Sequence, residues 1–389
     1  MKSVNSRVGE QAMTPAVVFP ADRPAPLWIA RSLGRRGIPV YGVDADPEAI
    51  AMKSRYLIPR PLPGGDRSDE NRLAALVALG QELGEAVLYP VSDDAVYLTS
   101  SQREILSRNY KFVMPDHETL RSVLTKDGIH RVAERVDIPT PRVYPASSLE
   151  QVEAVADQLS YPVILKPVFS PSWLRDEIIA ILRESFLTGP SKVSFCSNAA
   201  MLIAKYKAIA IYDPGMVIEE VIPGEDSNLK YFCFYLDRQS QPLATFAGVK
   251  ERILPVGFGS ATYVRSLYDP QLEDISLQLL SRIHYQGLGG VEFKKDPRDG
   301  QYKLIEFNAR FGMWDSLGAH CGVDIAYIAY LDALGRPVEA QSRYKEGVRW
   351  VDFQRDVRAF LIYNQRKQLS FGKVEVAFLR EGLGLLYTG

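Results

Sequence analysis

The sequence predicts a fold of mixed α/β and α+β class, in which a Rossmann-like domain with a parallel sheet precedes a larger unit with antiparallel strands. In the first third, apolar runs alternate with helical patterns, which is typical of a parallel sheet covered on both faces. From Thr125 onward, apolar strands follow one another across short turns, which is typical of antiparallel pairing. The chain has 389 residues, more than one hydrophobic core usually serves, so several domains are expected.

The elements of the first domain follow from hydrophobic spacing. They are strand 16–19, helix 26–36, strand 38–43, helix 73–83, strand 87–90 and a helix capped by Ser92. We place this domain at residues 14–117, behind a disordered N-terminus of residues 1–13. No GxGxxG follows the first strand, because Phe19 leads directly into Pro20. A dinucleotide needs close backbone approach at that turn, so a dehydrogenase is disfavoured.

The elements of the second unit are predicted in the same way. They are helix 125–136, strand 161–167, helix 176–184, strand 192–195, helix 198–208, strands 216–221, 231–236, 243–250 and 262–266, helix 271–285, and strands 289–295 and 302–308. The tail, residues 340–389, has a mixed pattern that predicts no particular role.

Composition and charge exclude several classes of protein. Lys+Arg number 46 and Asp+Glu 47, and this net charge of -1 indicates neither a nucleic acid nor a membrane surface as partner. Cys196, Cys233 and Cys321 are scattered, which argues against a disulfide framework and against a zinc site. The N-terminus lacks an apolar leader core, and no apolar stretch reaches about 18 residues. We therefore expect a cytoplasmic protein.

The segment 303–310 carries the strongest chemical signal. Strand alternation predicts that Leu304, Glu306 and Asn308 share one face, with Ile305 and Phe307 on the other. Arg310 follows at the strand end.

A hairpin closed by the turn 296–300 would place Glu292 of the preceding strand opposite Glu306. Two directly opposed carboxylates repel each other unless a cation lies between them. Mg²⁺ prefers carboxylate, carbonyl and phosphate oxygens. The alternative is a solvated hairpin with unrelated charges, but the pairing of Glu292, Glu306 and Asn308 favours a metal site.

These motifs, taken in order, resemble the ATP-grasp superfamily, and within it the carbamoyl-phosphate-synthase-like and D-aspartate-ligase-like branches. The resemblance covers residues 14–335 and rests on segments 90–94, 138–141, 161–167, 217–224 and 306–310 together with Lys126 and Glu292. It implies a Rossmann-like pre-ATP-grasp domain at 14–117, an ATP-grasp N-lobe at 118–223, and a C-lobe at 224–389 that holds the metal site and a C-terminal extension.

The resemblance also implies roles for individual residues, and ATP with Mg²⁺ (two ions, replaceable by Mn²⁺) as cofactors. The implied nucleotide contacts are Lys126 and Lys166 for the α- and β-phosphates, Glu219, Glu220 and Ile222 as the adenine hinge, and Asp226 for the ribose hydroxyls. The implied metal ligands are Glu292, Glu306 and Asn308, and Arg310 would steady the acyl phosphate. A surface position for either lysine, and a plain loop role for Asp226, remain open alternatives.

Basic and aromatic residues near the predicted site are further candidates. Lys250 is expected to contact the γ-phosphate and Arg252 to clamp a carboxylate or phosphate, although either could be structural. Arg265 is a weaker candidate. Trp314 and His320 are candidates for the substrate pocket, and core packing is the alternative for Trp314.

Two features leave the substrate and the phosphate lid open. Residues 168–191 lack the glycine-rich hairpin that covers the phosphates in many relatives. Either Ser170, Ser172 and Trp173 form an unusual lid, or the lid closes only with substrate. Asp93 and Asp94 fit either an ammonium-binding role or helix capping.

Carboxylate–amine ligation through an acyl phosphate is the function that this reading favours. The partners would be a small carboxylate and an amine, and a homodimer is the default oligomer. The alternatives are a bicarbonate-dependent carboxylase and an ATP-binding module without turnover.

Overall fold

The N-terminal elements build a parallel sheet, as predicted. The computed structural model describes residues 13–173, 175–185 and 193–368, and the expectations for residues 1–12 and 369–389 lie outside them. The sheet order is β3-β2-β1-β4-β5, and all its pairs are parallel. Its strands are β1 Ala16–Phe19, β2 Val40–Asp44, β3 Ile58–Pro61, β4 Ala86–Pro90 and β5 Tyr110–Lys111. Its helices are α1 Pro24–Gly34, α2 Asp69–Leu83, α3 Asp93–Ser101 and α4 Arg103–Leu106.

A small antiparallel sheet forms the second layer of the molecule. Its order is β6-β9-β7-β8, from strands β6 Val143–Ala146, β7 Val163–Pro167, β8 Ser194–Cys196 and β9 Met216–Glu220. The helices before and between these strands are α5 His117–Leu124, α6 Lys126–Arg135, α7 Leu149–Ala156, α8 Asp176–Ser185 and α9 Ala199–Ala210. This sheet has an apolar core of its own, to which Leu165, Leu202 and Ile218 contribute.

A large antiparallel sheet forms the rest of the described chain. Its order is β14-β13-β10-β11-β12-β15, from strands β10 Leu229–Leu236, β11 Pro242–Leu254, β12 Ser260–Ser266, β13 Gly287–Lys295, β14 Tyr302–Asn308 and β15 Arg349–Val351. The helices of this part are α10 Pro270–Arg282, α11 Ser316–Cys321, α12 Ile325–Ala333 and α13 Phe353–Gln365. The alternation of strands and helices therefore predicted both sheet types correctly.

Two continuous cores join the parallel sheet to the large antiparallel sheet. One contains Trp28 of α1 and Phe246 of β11, and the other contains Leu88 of β4 and Phe293 of β13. Burying such large side chains contributes about 1.5–3 kcal/mol each, so the two units support each other. Among the described helices, none is long and apolar enough to cross a membrane.

Candidate active site

The hairpin of β13 and β14 pairs Glu292 directly with Glu306, which confirms the predicted register. Asn308 is two residues further along β14, opposite Gly290. A side chain at Gly290 could not be accommodated, because a Cβ atom there would lie 2.0 Å from the hydroxyl oxygen of Tyr231. The glycine thus lets the Tyr231 ring lie beside the acid pair.

A β-bulge in β14 corrects one prediction about this strand. Glu292 pairs with Glu306 but Phe293 pairs with Leu304, so Ile305 is an extra residue. Leu304 consequently packs in the core together with Phe307, whereas Ile305 faces the same cavity as Glu306. Strict alternation predicted that Leu304 shares a face with Glu306. The bulge at Ile305 instead puts Leu304 on the opposite face of the sheet from Glu306.

Each of the three predicted phosphate-binding lysines is paired with a carboxylate. Lys126 Nζ lies 2.7 Å from Glu306 Oε1, and Lys166 Nζ lies 2.6 Å from Glu219 Oε1. Lys250 forms an ion pair with Glu292. The lysines thus neutralise acids of the predicted metal and adenine sites.

Burial and ion pairing oppose each other in the pKa values of these groups. Burial alone would lower the pKa of Lys126, but the carboxylate of Glu306 outweighs it and raises that pKa. Burial would raise the pKa of Glu219, but Lys166 and His130 hold it below its usual value. Both groups are therefore charged at neutral pH despite their burial.

Arg310 connects the hairpin of β13 and β14 to the N-terminal domain. Its Nε lies 2.7 Å from Asp93 Oδ1, and its Nη2 lies 3.1 Å from Asn308 Oδ1. Burial would lower the pKa of Arg310, but Asp93 raises it. Ser92 supplies the side-chain cap of α3, while Asp94 pairs with Arg72, so neither acid serves as the capping residue.

A cavity of about 440 Å³ lies between the small sheet and the large sheet. Most of the predicted site residues line it: Lys126, Lys166, Glu219, Glu220, Ile222, Lys250, Glu292, Glu306, Asn308 and Arg310. The fold thus brings together residues that are up to 184 positions apart in the sequence. Their individual roles stay predictions.

Arg252 lies outside this cavity, which differs from its expected place beside the substrate. The register of β11 shifts after Lys250, so that Lys250 pairs with Val264 and Arg252 with Tyr263. This extra residue at Glu251 turns Arg252 away from the Lys250 face. The Arg252 guanidinium instead binds Asp356 of α13 through two hydrogen bonds of 2.8 and 2.6 Å.

Asp226 also lies outside the residues that line the cavity. Its Oδ2 accepts hydrogen bonds from the Gly257 backbone N–H at 3.0 Å and from the Tyr363 hydroxyl. The carboxylate therefore braces the loop after β11, which differs from the ribose contact that the resemblance implies. Gly257 has a φ of 95°, a conformation that favours glycine.

The remaining candidates are divided between wall and surface. Trp314 lines the cavity and is also buried against Tyr231, with ring centroids 5.1 Å apart. It therefore combines the two positions considered for it, the cavity wall and the packed core. Arg265 pairs with Glu251, and His320 is exposed; neither lines the cavity.

The segment proposed as a lid is only partly described. Ser170 lines the cavity, whereas Ser172 binds Asp213 and Trp173 is buried in the core of the small sheet. Residues 174 and 186–192 lie outside the described chain. A glycine-containing loop, residues 255–259, also lines the cavity. The sequence offered a signal for it, since two glycines separate two predicted strands.

Sequence reasoning missed three cationic residues that line the cavity: Arg23, Lys294 and Arg355. Lys294 was detectable, because it lies two residues after Glu292 on the same strand. Its Nζ contacts the Gly224 carbonyl oxygen at 3.3 Å, and burial lowers its pKa. Arg23 and Arg355 come from distant elements, α1 and α13, and no local pattern indicated them.

The three-sheet arrangement and this acid-lysine cavity agree with the resemblance to the ATP-grasp superfamily that the sequence motifs indicate. The family model for the carbamoyl-phosphate synthase L chain, ATP binding domain, matches residues 261–341, which include Glu292, Glu306 and Asn308. Over this segment the chain is thus similar to the ATP-grasp domain of carbamoyl-phosphate synthase.

Curated relatives are similar at the sequence level. D-aspartate ligase of Enterococcus faecium is 25% identical over 299 residues, covering 76% of this chain and 65% of that protein. The carbamoyl phosphate synthase large chain of Methanobrevibacter smithii is 25% identical over 239 residues, covering 59% of this chain and 21% of that protein. The chain therefore spans about two thirds of the first relative and a fifth of the second.

Solved structures share the fold. The biotin carboxylase domain of 2-oxoglutarate carboxylase from Hydrogenobacter thermophilus, solved as a dimer with MgADP, ADP and bicarbonate, matches with a TM-score of 0.64 and 18% identity over 87% of this chain and 74% of its own. N5-carboxyaminoimidazole ribonucleotide synthetase from Thermus thermophilus matches with a TM-score of 0.62 and 12% identity over 86% of this chain and 81% of its own.

Proposed function

We propose that this protein is an ATP-dependent carboxylate–amine ligase that works through an acyl phosphate and releases ADP and phosphate. The observation that carries the proposal is the direct pairing of Glu292 with Glu306, beside Asn308, in a cavity that is also lined by four lysines and Arg310. A D-aspartate ligase is among the relatives, which supports the reaction class.

The residues present fit a divalent cation. The two opposed carboxylates and the Asn308 amide oxygen are ligands that Mg²⁺ prefers, with phosphate oxygens completing its shell. Among the described residues, no group of three His, Cys, Asp or Glu side chains is placed to hold a metal ion. Bound Mg²⁺, as one ion or two, or Mn²⁺ in its place, would neutralise charge on the transferred phosphoryl group. Two acids and one amide therefore suit a cation that arrives with ATP.

A buried hydrogen-bond acceptor supports the adenine site that we propose at Glu219. Glu219 Oε2 is buried and has no hydrogen-bond partner among the described residues. Its other oxygen is held by Lys166, and His130 Nε2 lies 3.5 Å away from Oε2. An unmet buried acceptor costs about 1–3 kcal/mol, and the exocyclic amino group of adenine is a donor of the required kind. This supports nucleotide binding at the hinge that begins at Glu219.

The proposed reaction uses the positive charges of the lysines and Arg310, which would lie beside the phosphates and the acyl group. A carboxylate oxygen of the substrate attacks the γ-phosphorus, and the bond to the β–γ bridging oxygen breaks, which releases ADP. The amine nitrogen then attacks the acyl carbon, phosphate leaves, and the amine proton passes to solvent. Lys126, Lys166 and Lys250 would exchange their carboxylate partners for phosphate oxygens. Arg310, held by Asp93, would face the negative charge that develops on the acyl phosphate.

The experiment is ADP and phosphate release from MgATP with pools of small acids, amino acids and bicarbonate. We expect release that depends on an organic acid and increases with an amine, and that Glu306→Gln abolishes. Glu251→Gln is the matched control, because Glu251 is on β11 of the same sheet but pairs with Arg265 and does not line the cavity.

Three outcomes would contradict the proposal. AMP and pyrophosphate as products would exclude an acyl phosphate. Turnover with bicarbonate alone would indicate a carboxylase. ATP binding without turnover across all pools would indicate a non-catalytic module. Dimerisation, a further prediction, is tested by light scattering on the same sample.

A further inference from the structure

Lys294 of β13 is a buried lysine that lines the cavity, and no described carboxylate forms an ion pair with it. The residue is 9% exposed, and within the described residues its Nζ makes one hydrogen bond, to the Gly224 carbonyl oxygen at 3.3 Å. The end group of lysine carries three N–H donors, so this contact leaves donors for a ligand. Burying a polar group without partners is costly. We therefore expect Lys294 to bind an acceptor that enters the cavity.

The other cations that line the cavity each contact a carboxylate. The pairs are Lys126 with Glu306, Lys166 with Glu219, Lys250 with Glu292, Arg310 with Asp93, Arg23 with Asp22 and Arg355 with Asp352. Within the described part of the chain, Lys294 thus differs from all the other lining cations.

The acids whose charge acts on Lys294 are bound to other groups. They and their partners are Asp226 with Tyr363, Asp296 with Arg298 and Glu292 with Lys250. None of the three therefore uses the donors of Lys294. Asp226 is also the acid that the resemblance implies for the ribose, and it lies outside the cavity lining.

The spacing along β13 places Lys294 close to the predicted metal ligand Glu292. The pairing of β13 with β10 has no register shift, so the two-residue alternation holds here. Side chains two residues apart on a strand share a face and are about 6.5–7 Å apart. Phe293, between them, packs in the core. Glu292 and Lys294 therefore line one wall of the cavity, with Lys294 nearer to the turn at 296–300.

Lys294 also contacts the end of the segment proposed as the adenine hinge. Gly224, which accepts its hydrogen bond, follows Ile222 of the hinge by two residues. Arg298 of the 296–300 turn binds Glu220 of the hinge, with Nη1 2.6 Å from Oε1. These two contacts hold the hinge segment against the end of β13. Lys294 consequently has the hinge on one side and Glu292 on the other.

The covalent order of a nucleotide indicates which of its groups would reach Lys294. With adenine at the hinge and metal-bound phosphates at Glu292, the ribose would lie between them, because it joins the base to the phosphates. The oxygens of the ribose hydroxyls accept hydrogen bonds, as hydroxyl oxygens in general do. Asp226 cannot make this contact from its observed position, since its carboxylate accepts the Gly257 backbone N–H outside the cavity lining.

We propose that Lys294 donates a hydrogen bond to a ribose hydroxyl of the bound nucleotide, in place of the contact that the resemblance implies for Asp226. This inference rests on the nucleotide site of the proposed function and adds the residue that recognises the sugar. Phosphate is the other nucleotide acceptor that a lysine could bind, and the test separates the two.

The test measures binding and needs no turnover. Isothermal titration calorimetry of the full chain gives the Kd for ADP, 2′-deoxy-ADP and 3′-deoxy-ADP, each with Mg²⁺. We expect at least one deoxy analogue to bind about tenfold more weakly than ADP, the effect of one hydrogen bond to a charged group. Lys294→Met should weaken ADP binding about tenfold and bring that analogue to within about twofold of ADP. Lys294→Arg, which keeps a donor, should retain part of the preference for ADP.

Lys295→Met is the matched control, because Lys295 is the next residue of β13, donates to Gln271 at 3.4 Å and does not line the cavity. It should leave all three Kd values unchanged. Equal wild-type affinity for the three nucleotides would overturn the ribose contact and leave the nucleotide site standing. Equal weakening of all three by Lys294→Met would show that Lys294 binds phosphate or only supports Gly224, which also overturns it. No binding of ADP to the wild type would count against the nucleotide site itself, and the ribose contact would fall with it.

Discussion

Arg310 Nε donates a 2.7 Å hydrogen bond to Asp93 Oδ1, which ties the end of the β13–β14 hairpin to the first turn of α3 in the N-terminal domain. The two residues are 217 positions apart, so this contact exists only when both domains have docked. The N-terminal domain thereby orients the arginine that is proposed to steady the acyl phosphate.

Asp93→Asn is expected to reduce kcat for the acid-dependent reaction about 10–100-fold, because Arg310 loses the charge that holds it. The Kd for ATP should change less than twofold, since Asp93 lies outside the cavity lining. Steady-state kinetics and calorimetry measure the two quantities. Asp94→Asn is the control, because its partner is Arg72 and it should affect stability alone. Equal losses of kcat in both variants would contradict the prediction.

Metal and nucleotide should bind cooperatively. Without ATP, Lys250 and Lys126 occupy the two acids that would hold Mg²⁺, so the bare ion has to compete with two ammonium groups. We expect Mn²⁺, followed by electron paramagnetic resonance, to bind at least tenfold more tightly with a non-hydrolysable ATP analogue than alone. Lys126→Met should strengthen binding of the bare ion. Identical Mn²⁺ affinity with and without nucleotide would refute this coupling.

The buried pair of Lys166 and Glu219 should behave as a unit in unfolding. Lys166→Met leaves Glu219 buried without its main partner, which typically costs about 3–5 kcal/mol. The double variant Lys166→Met/Glu219→Gln should recover at least half of that loss, because no unpaired charge remains. Urea unfolding of the two singles and the double measures the coupling. Additive losses would mean that the pair contributes no coupling energy.

Asp315 should make the protein less stable as pH rises through the weakly acidic range. Burial raises its pKa to about 6, while the Gly312 backbone N–H and the Cys233 thiol oppose the rise. The folded state therefore holds the proton more tightly than the unfolded state. Below the pKa of the unfolded state, this carboxyl does not lower the free energy of unfolding. Above about pH 6, where it is ionised in both states, it lowers the free energy of unfolding by about 3 kcal/mol.

The variant Asp315→Asn removes that titration. The difference in unfolding free energy between the variant and the wild type should shift in favour of the variant as pH rises from about 4 to 6.5. Glu225→Gln, at an exposed acid, is the control. A difference that stays constant over this range would disprove the raised pKa.

Much of the fold could be predicted from sequence because its signals are local. Alternating apolar runs indicated the parallel sheet, and Asp296 to Gly300 indicated the turn that pairs Glu292 with Glu306. Ten of the twelve proposed site residues line one cavity. They could be chosen from sequence because each belongs to a short motif, and the motifs follow one another in a characteristic order along the chain. Short elements such as β5 and β15 were missed, since two or three residues carry no measurable period.

The sequence by itself determined the fold class, the pairing of Glu292 with Glu306, and which lysines are candidates for the site. These follow from hydrophobic period, turn chemistry and residue type, which act over a few positions. Tertiary structure decided which of these side chains reach the cavity. The bulges at Ile305 and Glu251 break the two-residue period, bringing Ile305 in and turning Arg252 out. Arg355 of α13, and not Arg252, lines the cavity. Its contacts to Leu254 and Ser260 join residues about 100 positions apart, which no local pattern encodes.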